Sequence, residues 1–268
     1  MTKENPVIIF GPGYTGSRLA RRLVARNIPV FAAARNPDQL ASLAAVGVVV
    51  TSLDDAKLPP NARLVYSIPP LPPAEELPLR SFIQSLQPHR VVYISSTAVY
   101  GNQRKVTEIS PMEGSSGRAR QRIDAEAWFG AGPWSSLILR PAAIYGPGRG
   151  VHVRVREGRV ARGAGTVITS RIHVDDLAQL LGAGLDSDLE GCWPVADEAP
   201  CPTLEIATWC AAHMGVALVM DPAKGFPEEG RQVDGSEIFR QLGVKSFWPT
   251  WRSGISASMA EENRAEEG

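Results

Sequence analysis

The chain has 268 residues, 44% of them hydrophobic, and its 28 basic and 28 acidic residues balance to a formal charge of zero. That length holds one large α/β domain, or a domain with a small appendage, and the apolar share is enough for a substantial core. Neutrality removes any global attraction for nucleic acid or anionic membrane, while three cysteines (Cys192, Cys201, Cys210) without C-x-x-C spacing and four scattered histidines point to no metal site and no disulfide framework.

Residues 7–10 (VIIF) are a short apolar run of the kind that forms a buried parallel strand, and a helical pattern covers residues 14–27. Between and into them fall Gly11, Gly13 and Gly16 in G-x-G-x-x-G spacing. In that setting the three glycines allow, in turn, a tight turn, a backbone bare enough to approach a pyrophosphate, and close packing of helix on strand. The helix N-terminus then offers its unpaired N–H groups and positive dipole end to phosphate. A glycine-rich surface turn is the plain alternative.

Residues 29–35 (PVFAAAR) form the second strand, ending on Arg35, 19 residues beyond Gly16. A carboxylate at this point accepts hydrogen bonds from the 2′-hydroxyl of NAD. A guanidinium fork matches a 2′-phosphate instead, so the expected cofactor is NADP rather than NAD. The alternative leaves Arg35 solvated, with Asp38 facing the ribose.

The alternation of strand and helix continues: helix 38–46, strand 48–51, strand 64–68, then the proline-rich PPLPPAEELP. Prolines 69, 70, 72 and 73 cannot donate ladder hydrogen bonds, so that stretch is expected as a loop over the cofactor cleft. A helix at 79–86, an apolar strand at 90–96 (RVVYISS), a helix at 118–129 and a strand at 135–142 follow. This order predicts an α/β fold with a Rossmann-type doubly wound parallel sheet. Beyond residue 147 the pattern loosens, leaving a strand-to-helix passage at 166–185 and a helix at 203–214, and the final AEENRAEEG reads as frayed. Residues 1–147 are therefore the expected dinucleotide-binding core. Residues 148–268 are mainly a smaller C-terminal substrate region, with some elements returning to the core. No apolar run of 18 residues and no signal-peptide pattern occurs, and the first residues, MTKENP, are polar; the expected location is the cytoplasm, off the membrane.

Five segments, GPGYTG (11–16), YISSTAVYG (93–101), VTE (106–108), LRPAAIYGPGR (139–149) and RIHVDDLA (171–178), resemble the extended short-chain dehydrogenase/reductase superfamily, the branch of nucleotide-sugar epimerases and dehydratases. The resemblance implies a reaction site over a nicotinamide, next to the end of the YISS strand. Ser96 matches that family's catalytic serine or threonine; a hydroxyl there donates to a carbonyl oxygen or accepts from a hydroxyl being oxidised. Capping of the strand end is the plain role for Ser95, Ser96 and Thr97. Arg140 and Pro141 match the loop around the nicotinamide, and Arg171 a position beside the substrate. Asp175 and Asp176 read as a cap and a first-turn acid, and His173 as structural.

The departure from the pattern is sharp. The family's base is a tyrosine four residues before a lysine, and no Tyr-x-x-x-Lys occurs in this chain. Aligned on residues 125–126, Arg118 takes the tyrosine position and Arg122 the lysine position. Arg122 can hold ribose hydroxyls; Arg118 cannot exchange a proton near neutrality. Tyr145, Tyr100 or a water held by Ser96 and Thr97 must then move the proton. The nominated catalytic residues are Ser96, Thr97, Arg118, Arg122 and Tyr145. The nominated cofactor-binding residues are Gly11, Gly13, Tyr14, Thr15, Gly16, Arg35, Ser67, Arg122 and Pro141. Residues 140–171 hold seven arginines against Glu157 alone, which either clamp an anionic small-molecule substrate or form a solvated surface; Arg149 and Arg171 are the nominated substrate contacts. The expected assembly is a monomer or homodimer, and the alternative function is an NADP-binding redox sensor without turnover.

Overall fold

The computed structural model describes residues 5–55, 57–158, 167–219 and 230–267. The first strand, β1 (Val7–Phe10), is buried along its whole length, as a central parallel strand must be. Helix α1 (Tyr14–Ala25) buries Thr15, Gly16, Leu19, Ala20 and Leu23, one stripe at helical spacing. It stops two residues short of the predicted end because Asn27 turns left-handed at φ 60, a conformation asparagine tolerates. After β2 (Val30–Ala34) the predicted helix is a 3-10 turn (Pro37–Leu40) followed by the single-turn α2 (Ala41–Ala44). Strands β3 (Val49–Ser52) and β4 (Arg63–Tyr66) come next.

Helix α3 (Pro73–Ser85) starts six residues earlier than the sequence pattern indicated, so Pro73 belongs to the helix rather than to the expected loop. A proline at the first helical position gives up an N–H that has no partner there anyway, and its fixed φ suits the turn. Glu75 and Glu76 in the first turn are favoured by the helix dipole. Then follow β5 (Arg90–Ile94), the short β6 (Lys105–Val106), α4 (Gly117–Gly130) and β7 (Ser135–Pro141). Ser116 caps α4 by accepting the Ala119 N–H at 3.2 Å. The remaining elements are β8 (Ala143–Tyr145), α5 (Val151–Arg156), β9 (Ile168–Thr169), β10 (Arg171–His173), α6 (Val174–Leu185), β11 (Gly191–Val195), β12 (Cys201–Pro202), α7 (Thr203–Met214), β13 (Gln232–Val233), α8 (Ser236–Gln241) and α9 (Trp251–Glu267).

The chain divides into two compact units. The first comprises residues 1–99, 114–140 and 177–193; the second comprises 100–113, 141–176 and 194–268. In the seven-stranded sheet the order is β11-β7-β5-β4-β1-β2-β3, and the pairings from β3 through to β7 are all parallel. That is an α/β Rossmann-type doubly wound sheet. One face of its core is an aromatic cluster: Tyr66 and Tyr93 meet the Phe129 ring at 4.9 and 4.6 Å between centroids. The guanidinium of Arg90 is buried at the start of β5 and donates to Gly184 O at 3.0 Å and Leu189 O at 2.6 Å, tying the end of α6 to the sheet.

The second unit carries three two-stranded pairs, β8–β10, β9–β12 and β6–β13, and a core in which Trp251, Ile255 and Met259 of α9 pack with Tyr145, Ile206 and Cys210. The tail expected to fray is instead the last part of α9. Glu262 explains the difference: it accepts the Gly148 N–H and pairs with His152 at 3.2 Å and Arg156 at 2.5 Å, so α9 is held by groups more than a hundred residues away. Trp251→Ala should lower unfolding free energy by about 3–5 kcal/mol, the usual range for a buried tryptophan, whereas Arg264→Ala on the exposed face of the same helix should change little; chemical denaturation of the two variants checks the contrast.

Candidate functional site

In the first unit the strand order reverses between β1 and β4, so the crevice at the carboxyl ends of these strands is the expected ligand position for such a sheet. The glycine turn lies there. Gly11 sits at φ +73, and a Cβ on it would stand 2.6 Å from Ile68 Cγ1 and 3.2 Å from the Ile68 nitrogen; both the dihedral and the neighbour require glycine. Gly13 donates to Gly11 O at 2.7 Å, is exposed, and a Cβ on it would meet nothing nearer than Gly11 O at 4.0 Å. Its openness is what a ligand approaching the backbone requires. Gly16 faces β1, where an added Cβ would lie 3.0 Å from Ile9 Cγ2.

Ser67, just past β4, steadies the same turn. Its N–H donates to Phe10 O at 2.9 Å and its hydroxyl donates to Gly11 O. Tyr14 is half-buried and Thr15 buried in the first turn of α1, whose N-terminus has no side-chain cap. Arg35 follows β2, 72% exposed along its side chain, with Nη1 3.7 Å from Glu75 Oε2. Asp38 is exposed in the 3-10 turn.

At the end of β5 two neighbouring serines have different surroundings. Ser95 is buried and its hydroxyl donates to Glu126. Glu126 also takes Arg140, Nη2 to Oε2 at 2.6 Å, with both side chains at most 5% exposed. Arg140 and Pro141 therefore close β7, within the strand expected at 135–142 and not in the loop that the resemblance implies: the guanidinium can stay inside because a carboxylate neutralises it. In the sequence, Glu126 is legible only as an alignment mark beside Ala125. Ser96 is half-buried, its Oγ accepting the Ala98 N–H at 3.2 Å, and Thr97 opens a 3-10 turn. Arg122 comes to the same strand end, donating to Tyr93 Oη at 3.0 Å and to Ile94 O at 2.9 Å. Arg118, one turn earlier on α4, is exposed.

In the second unit Tyr145 is buried against His173, ring centroids 5.2 Å apart, with its hydroxyl 3.5 Å from Thr250 O. Burial, then the charges of Asp197 and Asp176, push its phenol well above the ordinary value. Tyr100 is fully buried. Arg149 is exposed beside the Gly146 turn. Arg171 is buried and donates to Thr169 O at 2.9 Å, Cys201 O at 3.3 Å and Thr203 Oγ1 at 2.7 Å. His173 accepts the Asp175 N–H on Nδ1 at 3.2 Å, so its Nε2 carries the proton and donates to Ser258 Oγ at 3.1 Å. Asp176, read as a simple first-turn acid, is also a buried anchor: it accepts from Ser246 Oγ, Phe247 N and Trp248 N at 3.0, 2.6 and 3.1 Å. Of the arginine-rich segment, Arg154 and Arg156 are exposed on α5; Arg159 and Arg162 lie outside the described residues. Among the described residues no group of three His, Cys, Asp or Glu side chains is placed to hold a metal ion, and no helix is long and apolar enough to cross a membrane.

No protein-family model matches the chain. A functionally unknown conserved protein from Silicibacter pomeroyi DSS is 30% identical over 96% of this chain and 99% of its own, with a TM-score of 0.84. A protein assigned as an NAD-dependent epimerase/dehydratase from Methylobacillus flagellatus is 26% identical over 97% of this chain and 99% of its own, with a TM-score of 0.74. A 3-diazoavenalumate denitrifying reductase from a Streptomyces species is 27% identical over 171 residues; the match spans 54% of this chain and 54% of that protein, about half the length of each.

One buried acid of the second unit makes a pH prediction. Asp197 is 4% exposed, accepts the Ala199 N–H at 3.2 Å through Oδ1, and among the described residues has no hydrogen-bond partner within bonding distance on Oδ2. Burial pushes its carboxyl up to about 7, against the opposing pulls of the Ala199 N–H and of Arg171. The folded state keeps this proton to higher pH than the unfolded chain does, so the stability carried by the neutral acid is full below the ordinary carboxylate range and is lost as pH rises towards 7. Asp197→Asn, which keeps the Ala199 contact, should be more stable than wild type at pH 8 by something on the order of 2–4 kcal/mol and no more stable at pH 4; denaturant titrations at both values check it.

Proposed function

The chain belongs to the extended short-chain dehydrogenase/reductase superfamily, and on that premise we propose that it is a nicotinamide-dinucleotide-dependent oxidoreductase or epimerase/dehydratase-type enzyme. Its substrate in this reading is an anionic small molecule carrying a carbonyl or hydroxyl, of the nucleotide-sugar class, and its preferred cofactor is NADP. The observation that carries the proposal is the glycine turn: Gly11 held by Ile68 and Ser67, Gly16 seated on β1, and Gly13 left open. These residues fit a pyrophosphate, with the N-terminal turn of α1, including Tyr14 and Thr15, supplying N–H groups. When bound, the nicotinamide supplies hydride donation or acceptance. Arg35 is the contact for a 2′-phosphate.

The chain's own chemistry is then concentrated at the end of β5. With Ser95 committed to Glu126, Ser96 is the serine hydroxyl there that can donate to a carbonyl oxygen as charge develops on it. Arg122 brings a permanent positive charge to the same strand end and is assigned the ribose hydroxyls. Arg118 stays protonated and cannot serve as base, so it is assigned to substrate anion. Burial makes the Tyr145 proton hard to release, and a water held by Ser96 and Thr97 is the proton carrier we favour. A dinucleotide sensor without turnover is the second reading, supported by arginines at both positions of the missing pair.

Calorimetric titration should give tighter binding of NADP than of NAD to wild type, and loss of binding of both in Gly13→Val with the thermal midpoint retained, because a branched side chain there fills the pyrophosphate space. Failure of wild type to bind either overturns the proposal. Against a panel of carbonyl and sugar-nucleotide substrates, Ser96→Ala should lower kcat by about 100-fold or more with cofactor affinity intact, the scale of losing a positioned acid or oxyanion donor. Wild type binding NADPH but oxidising it with no member of the panel favours the sensor.

A further inference from the structure

We infer that Glu75 is a specificity-determining residue for the dinucleotide, an acid brought from α3 that offsets Arg35 and restrains its preference for a 2′-phosphate. The inference rests on the cofactor reading above and deepens it. Its basis is topological. Arg35 is the first residue after β2, and Glu75 is the third residue of α3, the helix that follows β4. β1 lies between β2 and β4 in the sheet, so an ion pair joining residues that follow its two neighbours passes over the carboxyl end of β1, where the glycine turn opens. That end of the crevice is where the adenosine ribose of a dinucleotide lies in a sheet of this kind.

The neighbouring acid shows that the placement of Glu75 is not a general property of the turn. Glu76 is committed locally: it takes Arg80 one turn on and accepts the Leu71 N–H at 3.4 Å. Glu75 is the first-turn acid that reaches Arg35, at 3.7 Å, with side-chain exposures of 72% for the arginine and 50% for the glutamate. An exposed pair at this distance adds little to stability, so it separates readily when something better arrives.

The two groups ask opposite things of a ribose. Arg35 alone would fork onto a 2′-phosphate. Glu75 repels that phosphate and accepts a hydrogen bond from a 2′-hydroxyl. The pair as it stands therefore accommodates both dinucleotides: a 2′-phosphate must displace Glu75 from Arg35, and a 2′-hydroxyl can donate to Glu75 with the pair intact. An acid at the end of β2 is absent from this chain, and α3 supplies one from the other side of β1.

The test is the ratio of dissociation constants for NADP and NAD, measured by calorimetry in wild type and Glu75→Gln, with 2′,5′-ADP as a probe of the phosphate alone. Glu75→Gln should tighten NADP and 2′,5′-ADP by about 3- to 5-fold, the span of one exposed charge contact, leave NAD equal or weaker, and lose most of this shift at 1 M salt, where the screening length falls to about 3 Å. The thermal midpoint should stay within about a degree of wild type, since the site is exposed and the side chains are equal in size. Wild type that binds both dinucleotides, with an unchanged ratio in Glu75→Gln, overturns this inference alone. Wild type that binds neither overturns the cofactor reading and this inference with it.

Discussion

With Gly11 at φ +73 and Ile68 packed where a side chain would begin, the chain leaves β1 by a route open to glycine alone. The carboxyl end of β1 takes its form from that turn. It delivers Gly13 to solvent, sets the first turn of α1 over the end of β1, and leaves the peptide oxygen of Gly11 to accept the hydroxyl of Ser67. Gly16 then allows α1 to lie on Ile9 without a spacer. The crevice is thus built by close backbone approach.

The end of β5 uses a different device, burial of a charge pair. Glu126 and Arg140 are almost wholly out of water, and removal of either partner from such a pair typically costs about 3–5 kcal/mol, because the other is left uncompensated. The pair also occupies Ser95. That division of labour separates two adjacent serines that look equivalent in the sequence: one anchors α4 to β5, and the other presents a half-buried hydroxyl. Arg122 completes the strand end by bonding the Ile94 carbonyl, an attachment a lysine could make with only one compact head and no fork.

The second unit is organised by buried polar anchors. Asp176 gathers three donors from residues 246–248, Glu262 gathers the Gly148 N–H with His152 and Arg156, and His173 bonds Ser258, whose hydroxyl donates in turn to Gly254 O at 2.7 Å. These contacts bind α9 and the segment before it to β10, α5 and the start of α6. The same crowding places the Tyr145 phenol and the Asp197 carboxyl where ionisation is costly, and both hold their protons more tightly than in water.

Local pattern alone determined much of this. The glycine spacing, the apolar runs of β1, β4 and β5, and the periodicity of α1 and of α7, which spans Thr203–Met214 as read from its sequence, are statements about neighbours a few residues apart, and such neighbours suffice to choose strand, turn or helix. The sheet followed because strand and helix alternate. What the sequence could not carry was partnership at a distance. The acidic tail looked frayed because its anchor, Gly148, is 114 residues from Glu262. Arg140 falls inside the strand read at 135–142, but its partner was not legible, because nothing in its own segment shows Glu126 waiting inside. Arg35 read as a lone guanidinium because Glu75 reaches it only after β4 has taken its place beside β1. A side chain's charge and shape are written in its own position; whether that charge is neutralised, buried or offered to a ligand depends on which distant residue the fold sets against it.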